Sequence, residues 1–140
     1  MIILGIDFGD SRTGIARLNT SMPIATPLPT LKSKNINSVA EYVAKTATEE
    51  QAELIVLGLP LNMDGSHGPR ADKVKLLGSL ISEKTDIPIE YSDERLTSSY
   101  AHTVMNFTDT RGKKRKDSVD AVAATMILQS YYDKNKLSFE

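Results

Sequence analysis

The chain opens Met1-Ile2-Ile3-Leu4-Gly5-Ile6-Asp7-Phe8-Gly9-Asp10-Ser11-Arg12-Thr13-Gly14 and turns apolar again at Ile15-Ala16. Met1 to Phe8 reads as a strand with apolar residues on both faces, the pattern of a strand covered on both sides. Gly9 to Thr13 reads as a short turn and Gly14 to Asn19 as a second strand, so the first two strands form a hairpin. Asp7 is the anomaly. An unpaired carboxylate inside an apolar strand is costly or is forced to protonate, so Asp7 needs a cation, a donor or water beside it.

Further along, Pro23, Pro27 and Pro29 punctuate Ile24 to Leu31, which is expected as an edge strand because proline is tolerated there. Asn35 to Gln51 carries Ile36, Val39, Val43 and Ala47 at helical spacing, and Ser38 with Glu41 suits a capping box. Leu54-Ile55-Val56-Leu57, within Glu53 to Gly58, suits a central parallel strand. Leu59 to Gly68 is a loop rich in Pro, Asn, Asp and Gly. A helix over Pro69 to Lys84 sets Val74, Leu77 and Ile81 on one face. Ile87 to Ser92 is a strand that ends in Asp93-Glu94-Arg95.

A helix is expected over Thr97 to Phe107, then a polar, basic loop over Thr108 to Lys116. The last helix is expected from Asp117 to Lys134, with Val119, Val122, Ala123, Met126 and Ile127 buried, and a frayed tail after it. A meander of three strands followed by strand–helix units implies one α/β domain over residues 1–140. Its core is a mixed five-stranded sheet with helices on both faces, the ribonuclease H-like arrangement.

The bulk properties are those of a single globular domain: 140 residues, 40% hydrophobic, 25% charged, formal net charge -1. With no cysteine, disulfides, thiolate metal sites and cysteine catalysis are excluded. No secretory leader or membrane-length apolar run is visible, so a cytoplasmic, membrane-free protein is expected. The neutral total hides one dense basic cluster, Arg111 with Lys113-Lys114-Arg115-Lys116.

Three acids fall at comparable places. Asp7 lies within the first strand, Glu94 just past the end of a parallel strand, and Asp120 in the expected first turn of the last helix. Sites in open α/β sheets form beyond the carboxyl ends of strands, so the three can converge there. Such a cluster repels itself unless a divalent cation binds, and hard oxygen ligands suit Mg²⁺ or Mn²⁺. Two such ions can activate water and stabilise a leaving oxygen in phosphodiester cleavage. Blander readings stand beside these. Asp120 can simply complement the helix dipole, Glu94 can pair with Arg95, and Asp117, three residues before Asp120, suits an N-cap.

Four blocks carry a resemblance over nearly the whole chain: Gly5 to Gly9 through Arg12 to Ala16; Gly58-Leu59-Pro60-Leu61-Asn62-Met63-Asp64-Gly65-Ser66; Asp93 to Thr97; and Lys116 to Ala124 through Ile127 to Tyr131. In this order they resemble the YqgF/RuvX family, bacterial relatives of the RuvC resolvase. The resemblance implies a ribonuclease H-like nuclease that trims the 5′ end of pre-16S ribosomal RNA, or one that resolves Holliday junctions. It places the acidic triad on Asp7, Glu94 and Asp120. Asp117 departs from many relatives and stands open as a fourth ligand or a cap.

Nucleic acid, as structured RNA or branched DNA, is then the expected partner, bound by a monomer or a homodimer. Asn62, Asp64 and Gly65 can form a tight loop presenting donors to phosphate, or a plain Asx turn. Arg12 and Arg95 are candidate phosphate contacts. Arg111, Lys113, Lys114, Arg115 and Lys116 can line the backbone's path, with salt-sensitive affinity. Neither His67 nor His102 has a partner in the pattern, and Tyr131 and Tyr132 read as packing residues. Two other classes compete: an actin-like nucleotide-binding module, whose phosphate hairpin shares the Asp7, Gly9, Gly14 pattern, and a non-catalytic nucleic-acid adaptor.

Overall fold

The computed structural model describes residues 1–93 and 112–139, with the side chains of 112–121 outside the description. Three strands open the chain: β1 (Ile2–Phe8), β2 (Arg12–Asn19) and β3 (Met22–Lys32). They are followed by α1 (Ile36–Glu49), β4 (Leu54–Leu59), α2 (Pro69–Ser82), β5 (Ile89–Asp93), α3 (Gly112–Asn135) and a closing 3₁₀ turn over Lys136–Phe139. The sheet order is β3-β2-β1-β4-β5. β1–β2 and β2–β3 are antiparallel, and β1–β4 and β4–β5 are parallel, which is the mixed five-stranded sheet expected.

Alternation along the central strands divides the core in two. Leu4, Ile6, Ile15, Ile55 and Leu57 face α1 and α2, where they pack with Val39, Val43, Leu77 and Ile81. Ile3, Ala16, Leu18, Leu54 and Val56 face α3, against Ala124, Ile127, Leu128 and Tyr131. β4 is buried at every position, as a strand covered on both faces must be. β3 lies at an edge, and its three prolines withhold amides that a further strand would need.

Local chemistry fixes the element ends. Asn35, rather than a Ser38–Glu41 capping box, caps α1: its side chain accepts from the Asn37 and Ser38 amides, at 2.9 and 3.1 Å. The cap lies three residues earlier because Asn35 is the extended residue at which the helix begins. At the other end, Gln51 takes a left-handed φ of 59°, and the Ala52 amide donates to Ala47 O at 2.8 Å, closing the helix. Arg17 on β2 meets Glu50 at 2.8 Å, fastening this end to the sheet.

The last helix departs from expectation. It begins at Gly112, so Lys113, Lys114, Arg115 and Lys116 are helical rather than part of a loop. Asp117 is therefore a helix-interior residue and not an N-cap, and Asp120 lies about two turns inside rather than in the first turn. Lys and Arg are good helix formers and carry the helix past the point where the apolar stripe stops. The tail also differs: Lys136–Phe139 forms its 3₁₀ turn, and the Phe139 ring stacks on Tyr132 with centroids 5.9 Å apart. The helix expected over Thr97 to Phe107, and Glu94, Arg95 and Arg111, lie outside the described residues.

Candidate active site

Asp7 stands one residue from the carboxyl end of the central strand and is half-buried. It shares a face with Ile3 and Gly5, the face covered by α3. On β2 its partner is Gly14. On β4 the register pairs Ile6 with Leu57, and its next step sets Asp7 beside Gly58. Gly58 in turn pairs with Ser92 on β5. The carboxylate is thus flanked on both sides by glycines, which leave space over the sheet where other side chains would fill it.

Helix α3 passes across this space. A Cβ on Gly5 would lie 2.7 Å from Leu128 Cβ and 3.1 Å from the Ala124 carbonyl oxygen, so the helix lies close enough over the strand here that only glycine fits. Two strand residues from Gly5 to Asp7 advance about 6.6 Å. One helical turn, from Ala124 back to Asp120, spans about 5.4 Å. Asp120 is one helical turn before Ala124 along the same row of α3, and Asp7 is two residues beyond Gly5 on the same face of β1. Asp117 is three residues earlier, on an adjacent position of that row. Leu59 pairs with Asp93 at the end of β5, and Glu94 is the residue after it.

Two turns frame the edge. Between β1 and β2 the Gly9 amide donates to Arg12 O at 2.9 Å, and the Ser33 amide to Ser11 O at 3.0 Å. Asp10 in that turn lies 3.7 Å from Lys73 on α2, an exposed pair worth little energy that records how near α2 comes. After β4, the Gly65 amide donates to Asn62 O at 2.8 Å and the Asn62 amide to Ser66 O at 2.9 Å. Asp64 Oδ1 accepts from the Ser66 amide at 2.9 Å and from its hydroxyl at 2.6 Å. Gly65 has φ 87°, a conformation glycine alone adopts without strain. The loop is a rigid Asx-type turn in which the Asn62, Gly65 and Ser66 amides are spent on closure, while Met63 at its tip is 69% exposed.

Far from this edge, the Tyr131 hydroxyl donates to Glu90 Oε2, joining α3 to β5. Burial, then the Glu90 hydrogen bond and charge, push the Tyr131 phenol well above its ordinary range. Both Tyr131 and Tyr132 pack, as expected, against core residues and Phe139. Among the described residues no three His, Asp or Glu side chains gather as a metal seat. Of the expected triad only Asp7 has a described side chain. The donor chemistry nonetheless suits a hard cation: carboxylate oxygens, with a half-buried Asp7 and glycine-made room beside it.

Reasoning from the sequence located Asp7 but not Gly58 as its neighbour, nor Lys32, which the β2–β3 register sets opposite Arg12. Gly58 was legible as the end of an apolar run and the start of the Gly58–Ser66 block, but not as a neighbour of Asp7, and Lys32 had no distinguishing signal.

A five-stranded mixed sheet with a carboxylate at the end of its central strand, and one helix crossing above it, defines a ribonuclease H-like domain. RuvC of T. thermophilus, solved in complex with a Holliday junction substrate, superposes with a TM-score of 0.61 at 12% identity, covering 96% of this chain and 95% of that one. The fowlpox virus Holliday junction resolvase gives 0.57 at 15% identity, covering 96% and 99%. The chain belongs to the RuvX family, described as "Holliday junction resolvase", which matches residues 1–134. A relative from Heliobacterium modesticaldum is 38% identical over 133 residues, 95% of this chain and 89% of the relative. One from Caldanaerobacter subterraneus subsp. tengcongensis is 37% identical over 139 residues, 99% and 100% of the two. Both carry the name "Putative pre-16S rRNA nuclease".

Proposed function

We propose that this protein is a divalent-metal-dependent nuclease that hydrolyses phosphodiester bonds, acting on the 5′ end of pre-16S ribosomal RNA in the cytoplasm. The observation that carries it is the placing of Asp7: a half-buried carboxylate at the end of the central strand, between two glycines, with the Asp120 backbone one helical turn beyond the Gly5–Ala124 contact. The names of the curated relatives supply the RNA substrate.

Asp7, Glu94 and Asp120 would hold Mg²⁺ or Mn²⁺, with Asp117 as a fourth oxygen donor now that its place inside α3 removes the capping role. When bound, a pair of such ions supplies the positive charge that activates water and stabilises the leaving oxygen. The chain's own part is positional. The sheet holds Asp7 rigidly, Gly14 and Gly58 leave room for a phosphate above it, and Gly9 closes the turn without adding a side chain. Arg12, Arg95 and the basic run Arg111, Lys113, Lys114, Arg115 and Lys116 offset phosphate charge and orient the strand. The loop of Asn62, Asp64 and Gly65 borders the substrate as a preformed rim. No protein nucleophile is called for.

The family description favours a second reading, cleavage of four-way DNA junctions, which needs two copies with their sites in fixed relation. One experiment separates these. Wild type and Asp7→Asn are incubated with a 5′-extended 16S precursor and with a four-way DNA junction, in Mg²⁺ or Mn²⁺. Trimming of the precursor by wild type alone supports the proposal; junction cleavage alone selects the second reading; identical patterns from the two proteins reject the acidic site.

A further inference from the structure

The register between β2 and β3 brings two cations together that are twenty residues apart in sequence. Arg12, the first residue of β2, pairs directly with Lys32, the last of β3. Their neighbours Thr13 and Leu31 also pair. Thr13 is fully buried and Leu31 packs into the core beneath α1 and α2. Side chains alternate along a strand, so Arg12 and Lys32 project to the opposite face, the one that carries Asp7. Lys32 is exposed and Arg12 half-buried.

We infer that Arg12 and Lys32 form a two-cation row that seats consecutive phosphates of a nucleic-acid strand running from Asp7 across β2 to β3. This rests on the nuclease reading above and names the side of Asp7 on which the substrate lies. From Asp7, Arg12 is one strand across and two residues on, and Lys32 one strand further. With strands about 4.8 Å apart, their backbones stand about 8 and 12 Å from that of Asp7, within reach of phosphates next to the cleaved one for side chains this long. On the other flank, among the described residues, the same face presents Gly58 and Ser92, which carry no charge. The two cations make the β2–β3 side of Asp7 positive, and a polyanion is drawn to it. The alternative role for Lys32 is that of a charge guarding an edge strand against pairing.

The test is binding of a single-stranded RNA oligonucleotide in EDTA, by fluorescence anisotropy over a range of KCl concentrations. Each phosphate contact contributes about 0.7 to the slope of log affinity against log salt for single strands. Lys32→Gln is expected to weaken binding several-fold at low salt and to flatten the slope by about 0.7. Lys32→Arg should restore both, and Lys84→Gln, an exposed lysine at the cleft between α1 and α2, should change neither. A wild-type slope for Lys32→Gln, with cleavage still dependent on Asp7, overturns the row and leaves the nuclease standing. Absence of salt-dependent binding by wild type, together with cleavage-inactive wild type, removes both.

Discussion

Gly5 and Leu128 meet with no room between them: a Cβ on the glycine would come within 2.7 Å of Leu128 Cβ and 3.1 Å of the Ala124 carbonyl oxygen. This contact sets the height of α3 above the sheet at β1. Gly5→Ala forces the helix away from β1. Overpacking of this kind typically costs about 1–3 kcal/mol, read as a lower urea midpoint with an unchanged slope. With Asp120 of α3 and Asp7 of β1 proposed to share the metal, nuclease activity should fall as well under conditions where the variant is fully folded. A variant that loses stability but keeps full activity would show that α3 does not position the site.

The sheet was legible because its strands announce themselves. Leu54 to Leu57 is an uninterrupted apolar run, and the prolines of β3 fit only an edge. Asp7 was legible for the opposite reason, as a charge where the pattern calls for a hydrophobe. The start of α3 was hidden, since Lys113 to Lys116 carry no apolar periodicity and basic residues oppose the dipole at a helix N-terminus. That hid the true places of Asp117 and Asp120 within the helix. Lys32 was invisible for a different reason: only the strand register sets it beside Arg12, and an exposed lysine at a strand end is otherwise unremarked. The Asn35 cap was masked by a better-known pattern three residues later.

Asn35 offers a clean separation of stability from function. Its side chain satisfies two amides at the start of α1, on the face of the sheet away from Asp7. Asn35→Ala should lower unfolding free energy by about 1 kcal/mol and leave cleavage rates at wild-type values once the protein is folded. Chemical denaturation and a precursor-trimming assay check the two halves. A loss of activity beyond the loss of folded protein would tie α1 to the site.

Metal binding can be followed without any substrate. If Asp7 supplies ligand oxygens, Mg²⁺ or Mn²⁺ stabilises the folded chain by mass action, by about 2.7 kcal/mol at a hundredfold excess over the dissociation constant. For a domain of this size that is a rise of several degrees in Tm. Asp7→Asn should abolish the rise while folding normally in EDTA. Differential scanning calorimetry with and without the ion is the measurement, and an equal rise in both proteins would place the ion elsewhere.

Tyr131 ties α3 to β5 through Glu90, at the end of the helix remote from the acids, and its pH dependence has a definite sign. The folded-state pKa lies above the ordinary value of 10.0, first through burial and then through the hydrogen bond and charge of Glu90. The unfolded chain therefore releases this proton at lower pH than the folded one. Its stabilising contribution is fully present below pH 10.0 and is lost progressively as pH climbs from there toward the folded-state value. Tyr131→Phe lacks this titration, so its stability should decline less steeply than wild type above that pH, although it begins lower because Glu90 has lost its donor. Urea midpoints measured across the alkaline range, with tyrosinate absorbance as the ionisation probe, decide it; parallel curves for the two proteins would mean that the Tyr131 phenol ionises alike in the folded and unfolded chain.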